Sequence, residues 1–138
     1  MISVDELIER ARAWIGVPFH HQGRSRAGID CIGLPEAILR DAGVLPAGYD
    51  APRNYGRRPI GELERGLQRW CAAAPRPVRG CLLALRWPAH GGISHVAILA
   101  GDTIIHAYHK RGVCEHAYRA QWVKWTRSAW HLPGVAYE

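Results

Sequence analysis

The sequence contains no run of the roughly 18 consecutive apolar residues that a transmembrane helix requires. Residues 1–14 are charged and amphipathic, and they lack the apolar segment and cleavage site of a signal peptide. We therefore expect a protein that is made in the cytoplasm and carries no membrane anchor. If it works outside the cell, something other than its own leader would have to deliver it.

Lysine is also scarce, because Lys110 and Lys124 are the only lysines among 18 basic residues. Against 12 acidic residues this gives a net charge of +6. Such a charge attracts polyanions, whether a nucleic acid, an anionic glycan or a charged partner, although a solvated surface with biased composition is an equal alternative. The arginines are scattered and form no basic tract or known motif, so we expect no direct nucleic-acid recognition.

Four cysteines are present, and no two of them have C-x-x-C spacing. This disfavours a zinc knuckle or a redox pair, and a disulfide framework is unexpected in a leaderless chain of this size. Cys71, Cys81 and Cys114 fall at a helix end or in predicted strands, where a free thiol is commonly a small buried apolar group. Cys31 is placed differently and is treated separately below.

The 138 residues, 48% of them hydrophobic, predict a single domain over residues 1–138 with a substantial core. Helices are predicted in the first half of the chain, at 4–15, from 30 or 31 to 43, and at 60–73, with a long loop over 44–59. Short apolar strands are predicted in the second half, at 81–87, 95–100, 103–109 and 112–118, followed by a helical or irregular segment at 119–128 and a last strand near 129–134. Helices followed by strands indicate an α+β fold in which the helices pack on one antiparallel sheet.

Cys31 lies where a basic, glycine-rich loop becomes an apolar helix. The unpaired N–H groups and positive dipole end of a helix N-terminus stabilise an anion, so a cysteine there is predicted to be a primed nucleophile. The same N–H groups can bind an oxyanion. Asp30 is predicted to cap the helix, to bind a cationic group of a substrate, or to do both.

A cysteine nucleophile needs a base, and one hairpin offers two histidines. If Gly101-Asp102 forms a two-residue turn, residue 97 faces residue 106 and residue 95 faces residue 108. His95 and His106 then share one sheet face as diagonal neighbours. We predict that His95 is the base and that His106 orients it.

The other histidines are weaker candidates. His90 lies in a predicted loop before His95 and is expected to line a cleft. His109 falls on the opposite sheet face, and His116 is expected to be a surface or structural residue. His20 and His21 are adjacent in a loop, and neighbouring residues seldom bind one metal ion well.

These residues, in this order, resemble the NlpC-type peptidoglycan endopeptidases, a papain-like family with a circularly rearranged chain. The family pattern G-x-P-Y … G … D-C-S-G-L is matched by Gly16, Pro18, Phe19, Gly23, Asp30, Cys31, Gly33 and Leu34. The family strands H-V-G/A-I and I-H-A are matched by His95, Val96, Ala97 and Ile98 and by Ile105, His106 and Ala107. The resemblance covers roughly residues 3 to 134 and implies a papain-like NlpC-type fold.

The resemblance implies a cysteine peptidase that hydrolyses an amide of the peptidoglycan stem peptide, usually the bond between D-γ-glutamate and a diamino acid. Cys31 would attack the carbonyl carbon, and His95 would take the thiol proton and return it to the leaving amine. His106 would orient His95, and water would release the acyl group. No metal ion or cofactor is expected to be needed.

Two departures from the family pattern affect substrate binding. Phe19 replaces a tyrosine and Ile32 replaces a serine, so two hydroxyls that help relatives hold the free amine of the stem peptide are missing. Asp30, Phe19 and His90 remain candidate substrate-binding residues. Gln22 replaces a family glycine and is a candidate donor to an oxyanion.

The stretch 20–34 most resembles the phage-type branch, whose members act on phage tails or phage-derived gene transfer agents. This predicts tail-tip or hub proteins as partners and action on the cell wall during DNA delivery. Two alternatives remain open: a thiol acyltransferase of the same superfamily, and a structural tail component that has lost activity.

Overall fold

The computed structural model describes residues 1–49, 55–57 and 59–137, so part of the predicted loop at 44–59 lies outside the described residues. The helices in these ranges are Val4–Arg12 (α1), Gly33–Asp41 (α2), Glu62–Trp70 (α3) and Gln121–Trp125 (α4). In the part of the chain that the structure describes, every helix is too short or too polar to cross a membrane.

The strands build one six-stranded antiparallel sheet and two small pairs. The strands are Ile2–Ser3 (β1), Arg24–Ser25 (β2), Gly28–Ile29 (β3), Ala72–Ala74 (β4), Leu82–Leu85 (β5), His95–Leu99 (β6), Thr103–Tyr108 (β7), Gly112–Ala117 (β8), Thr126–His131 (β9) and Val135–Ala136 (β10). The large sheet has the order β4-β9-β5-β6-β7-β8, while β1 pairs in parallel with β10 and β2 pairs with β3. The predicted α+β class, with N-terminal helices on a central antiparallel sheet, is confirmed.

Apolar clusters cover both faces of the sheet. One face packs against α1, α2 and α3 through the larger cluster of buried residues. The other face carries a smaller cluster that the aromatic side chains of Tyr118, Trp122 and Trp125 cover. Because both faces are covered, β5 and β6 are buried along their whole length, as a strand inside a two-sided core must be.

The hairpin of β6 and β7 has the predicted register. Ile98 pairs with Ile105 and Leu99 with Ile104, and the N–H of Ala100 donates to the carbonyl of Thr103 across the Gly101-Asp102 turn. Alternate residues therefore enter the two clusters, with Ile98 and Ile105 on the helix side and Leu99 on the aromatic side.

All three helices predicted in the first half of the chain are shorter than expected, and the ends of α1 and α3 have a clear physical cause. Helix α1 is capped by Ser3, whose hydroxyl accepts the N–H of Glu6, but it ends at Arg12, and tight turns then leave Ile15 exposed instead of on the apolar face. Helix α3 ends at Trp70, and the alanines predicted to continue it form the edge strand β4. Their pairing with β9, which is distant in sequence, overrides the high helix propensity of alanine.

Candidate active site

Cys31 and His95 line the same cleft, which encloses about 270 Å³. We call it the Cys31 cleft; its lining residues are Phe19, His21, Asp30, Cys31, Ile32, Tyr55, Gly56, Arg57, Pro59, Trp87, His90, Ser94, His95 and His109. Cys31 lies in the turn just before α2, and His95 is the first residue of β6. The start of α2 and the start of β6 thus place Cys31 and His95, the two predicted reacting residues, in the same cleft.

Asp30 organises the turn that holds Cys31. One carboxylate oxygen accepts the N–H groups of Ile32 and Gly33 at 3.2 and 2.9 Å, so the predicted capping role is confirmed. The same carboxylate accepts hydrogen bonds from Arg24 (3.0 Å) and from the N–H of Gln22 (2.8 Å). These donors bond to a residue that is only 3% exposed, which makes Asp30 first of all a structural anchor of the turn.

Tyr55 supplies a phenol hydroxyl beside Asp30. The family pattern has its tyrosine at the position of Phe19 instead. The phenol of Tyr55 donates a short hydrogen bond to Asp30 and accepts one from Arg24 at 2.9 Å. Phe19, which lacks the hydroxyl of the family tyrosine, lies in the same cleft. The cleft therefore has a phenol bonded to Asp30, contributed by a loop after α2 instead of the loop before Cys31.

Two of the predicted substrate-binding residues differ in placement. His90 lines the Cys31 cleft, and its Nδ1 lies 2.6 Å from the hydroxyl of Ser94. Gln22 does not line the cleft, because its side-chain amide donates to the carbonyl of Tyr55 at 2.7 Å. In this conformation the amide of Gln22 is bonded to the backbone of Tyr55, and its oxyanion role stays a prediction.

The surroundings of the Cys31 sulfur favour the neutral thiol over the thiolate in the substrate-free protein. Burial is the main cause of a Cys31 pKa raised to about 12, and the Asp30 carboxylate acts in the same direction. A hydrogen bond from the N–H of Val96 and the charge of Arg24 lower the pKa by less. The N–H groups of Ile32 and Gly33, which were expected to stabilise an anion, bond to Asp30 instead.

His95 and His106 are directly hydrogen-bonded, and a third imidazole continues the chain. The Nε2 of His95 lies 2.6 Å from the Nδ1 of His106, and the Nε2 of His106 lies 2.8 Å from the Nε2 of His116. The Nδ1 of His116 lies 3.2 Å from the carbonyl oxygen of Ala117. The line therefore runs across β6, β7 and β8 with one histidine on each strand.

We call His95, His106 and His116 the histidine line. The carbonyl oxygen of Ala117 at its end determines the tautomer of each of these three histidines. A carbonyl oxygen only accepts, so His116 carries its hydrogen on Nδ1 and accepts at Nε2. His106 then donates from Nε2 and accepts at Nδ1, and His95 donates from Nε2. The lone pair of His95 is left on Nδ1, the ring nitrogen available to a thiol in the cleft.

Aromatic side chains surround the two inner imidazoles. Trp87 stacks on His95 with ring centroids 4.9 Å apart, and Tyr108 stacks on His106 at 5.4 Å. Trp122 and His106 make an edge-to-face contact with ring centroids 5.1 Å apart. Burial among these rings holds the pKa values of His95 and His106 well below the ordinary histidine range, and neighbouring imidazoles add to the effect. The substrate-free site therefore pairs a neutral thiol with a neutral imidazole.

Sequence reasoning missed Tyr55, Trp87 and His116 as parts of the site. Tyr55 and Trp87 lie in irregular segments with no periodic pattern to place them. His116 had a usable signal, because it pairs in register with Ile104 and so shares a sheet face with His106. Extending the predicted hairpin by one strand would have found it.

The sequence model described as the NlpC/P60 family matches residues 16–131, which include Cys31, His95 and His106. No curated protein matches the chain.

Solved structures resemble the chain over nearly its full length. The NlpC/p60 domain of the peptidoglycan hydrolase SagA is 24% identical with a TM-score of 0.64, over 94% of this chain and 98% of that one. An NlpC/P60 family protein from Bacillus cereus is 22% identical with a TM-score of 0.68, over 91% of this chain and 39% of that one. A lipoprotein-like NLP/P60 family protein from Staphylococcus aureus is 20% identical with a TM-score of 0.64, over 94% of this chain and 41% of that one. The chain thus spans about two fifths of the latter two proteins, and the likeness shows a shared fold.

Proposed function

Since the chain belongs to the NlpC/P60 family, we propose that it is a cysteine peptidase that hydrolyses an amide bond in the stem peptide of peptidoglycan. The observation that carries the proposal is the His95–His106 hydrogen bond of 2.6 Å at the wall of the Cys31 cleft. It leaves an acceptor nitrogen on a buried imidazole in the same cleft as a thiol, which general-base activation of a cysteine requires.

In the first half of the reaction, the Cys31 sulfur attacks the substrate carbonyl carbon while its proton passes to Nδ1 of His95. We propose that this transfer accompanies attack instead of preceding it, because burial raises the pKa of the thiol. His106 accepts from Nε2 of His95 and keeps the imidazolium in line. His95 then donates the same proton to the departing amine, and the C–N bond breaks to leave an acyl-enzyme.

In the second half, water attacks the acyl-enzyme and gives its proton to Nδ1 of His95. The C–S bond breaks, and the proton returns to the sulfur. Every proton is accounted for by one imidazole nitrogen, so the reaction balances with water as the only other reactant.

The proposed scissile bond joins D-γ-glutamate to a diamino acid such as meso-diaminopimelate, as the family resemblance implies. Asp30, Phe19 and His90 are the proposed substrate-binding residues in the Cys31 cleft, and Tyr55 and Arg57 add polar groups to its lining. A cationic Arg57 suits the carboxylates of a stem peptide. The substitutions at Phe19 and Ile32 alter the polar groups beside the substrate amine and are proposed to tune specificity.

We test the activity by digesting purified muropeptides with the wild type and with Cys31→Ala, and by reading the products by mass spectrometry. Cleavage between glutamate and the diamino acid that disappears in the variant is the expected result. A different bond cut in a Cys31-dependent way would overturn the substrate assignment but keep the nucleophile. No cleavage of any muropeptide would overturn the peptidase and favour a structural component.

We further propose that the protein acts on the cell wall as part of a phage-like particle, docked to tail-tip or hub proteins. The support is the resemblance of residues 20–34 to the phage-type branch. The test is mass spectrometry of particles purified from the source strain. We expect the chain at a fixed ratio to tail proteins, and its absence from intact particles would overturn this proposal.

A further inference from the structure

The histidine line ends in a group of side chains that suits a metal ion. His106, Cys114 and His116 each offer one ligand atom, and these atoms all lie within 4.8 Å of one another. Cys114 pairs in register with His106 across β7 and β8, which places both side chains on the same sheet face. Neither Cys114 nor His116 is fully buried, so the group can be reached from solvent through them.

The donor set selects the class of cation. Two imidazole nitrogens and one thiolate are preferred by zinc and similar thiophilic divalent ions over magnesium or calcium. A tetrahedral zinc site separates its nitrogen ligands by about 3.4 Å, given bonds of about 2.0–2.1 Å. The Nε2 atoms of His106 and His116 lie 2.8 Å apart. Metal binding therefore requires the two nitrogens to separate by about 0.6 Å and the half-buried His116 ring to turn so that both lone pairs point at the ion.

From this arrangement we propose that a zinc-class divalent cation binds His106, Cys114 and His116 and inhibits the enzyme by reversing the tautomers of His106 and His95. The inhibition rests on the proposed peptidase function, whereas the binding does not. The fourth ligand position is left to water or a substrate-derived group.

Bound metal changes the proton arrangement in a defined way. His116 already accepts at Nε2, so it binds the ion without losing its Nδ1 hydrogen bond to Ala117. His106 must give up its Nε2 hydrogen to bind the ion, and as a neutral ligand it then carries a hydrogen on Nδ1. Cys114 binds as a thiolate and releases one proton to solvent.

The change at His106 is passed to His95. Once Nδ1 of His106 donates, Nε2 of His95 must accept across their 2.6 Å contact. The single hydrogen of neutral His95 then sits on Nδ1, the nitrogen that faces the cleft. In that tautomer His95 cannot take the Cys31 proton, so the nucleophile is not activated. Apart from the thiol proton, no proton is gained or lost, since each imidazole keeps one hydrogen.

Cobalt binding tests the site without using activity. We would titrate Co²⁺ into wild type, Cys31→Ala and Cys114→Ser, with Cys71→Ser as a matched control for another half-buried thiol. A sulfur-to-cobalt charge-transfer band is expected in wild type, Cys31→Ala and Cys71→Ser but not in Cys114→Ser. A band that is lost in Cys31→Ala and kept in Cys114→Ser would place the metal on the catalytic pair and overturn the proposal, as would the absence of a band in the wild type.

Inhibition and tautomer state test the mechanism. If muropeptide cleavage is observed, Zn²⁺ inhibition is measured for wild type, Cys114→Ser and Cys71→Ser, each relative to its own metal-free rate. Cys114→Ser should raise the half-inhibitory concentration by at least about tenfold, and equal inhibition of wild type and variant would overturn the inhibitory role. Nitrogen-15 NMR of the histidine rings in Cys31→Ala should show the hydrogen of His95 moving from Nε2 to Nδ1 as Zn²⁺ is added. An unchanged tautomer in the metal-bound protein would overturn the mechanism.

Discussion

The sulfur of Cys31 shares its turn with the buried carboxylate of Asp30, and this pairing governs its reactivity. With a pKa raised to about 12, the free thiol is neutral throughout the physiological range. We predict that its alkylation by iodoacetamide rises continuously with pH and shows no plateau near neutrality, because only the thiolate reacts. Peptide mapping by mass spectrometry gives the Cys31 rate directly, with a small peptide thiol of ordinary pKa as the reference. A fast, pH-independent rate between pH 5 and 7 would instead mean a preformed thiolate–imidazolium pair.

His106 is predicted to be a positioning residue, since it contacts His95 and not the cleft. Replacing it with alanine should lower kcat by about 10²–10⁴ and leave KM nearly unchanged, because His95 loses the acceptor that fixes its tautomer. His106→Asn should recover part of the loss, since the amide oxygen can accept from Nε2 of His95. His131→Ala, which removes a ring stacked on Tyr137 far from the cleft, is the control. An unaltered kcat in His106→Ala would remove His106 from the mechanism.

Among the elements, the start of β8 is held against the loop that precedes Cys31. The N–H of Val113 donates to the carbonyl of Val17, and a Cβ on Gly112 would lie 2.5 Å from that same oxygen. Gly101 also has a positive φ, but nothing lies within 4 Å of its Cβ position. An alanine at Gly101 would therefore introduce backbone strain alone, whereas an alanine at Gly112 would add a steric clash.

We predict that Gly101→Ala costs about 1–2 kcal/mol of unfolding free energy from strain alone. Gly112→Ala should lower the unfolding free energy by about 1–3 kcal/mol more than Gly101→Ala, because Val17 has to move away. Urea unfolding of both variants gives the comparison. Equal losses of unfolding free energy in the two variants would contradict the prediction, because they would mean that the loop at Val17 moves away from β8 at no cost.

The β6–β7 hairpin shows what sequence patterns reveal. A two-residue turn and strict alternation fix its register, and the His95–His106 contact follows from that register alone. Edge strand β4 shows the limit, because three alanines carry no strand pattern and pair only through distant β9. Tyr55 could not be placed for the same reason, because its bond to Asp30 joins residues 25 apart in the sequence and no periodic pattern positions it. The neutral state of Cys31 depends on burial and on which N–H groups Asp30 occupies, neither of which a motif encodes.

For the whole molecule, the net charge of +6 predicts an electrostatic contribution to wall binding. Binding of Cys31→Ala to purified sacculi should fall by at least about tenfold between 0.05 and 0.5 M NaCl, where the screening length shrinks from about 14 to about 4 Å. Sacculi stripped of anionic polymers are the control and should show weak, salt-independent binding. Salt-independent binding to intact sacculi would assign the basic charge to another partner.

The three imidazoles stand one to a strand, on neighbouring strands of one sheet. A slip of a single residue in either hairpin would turn one ring to the opposite face and break the line. A molecule with that error would keep its thiol, yet its base would no longer be oriented. For the proposed peptidase, specific activity in a preparation would therefore measure the fraction of molecules whose sheet is correctly paired.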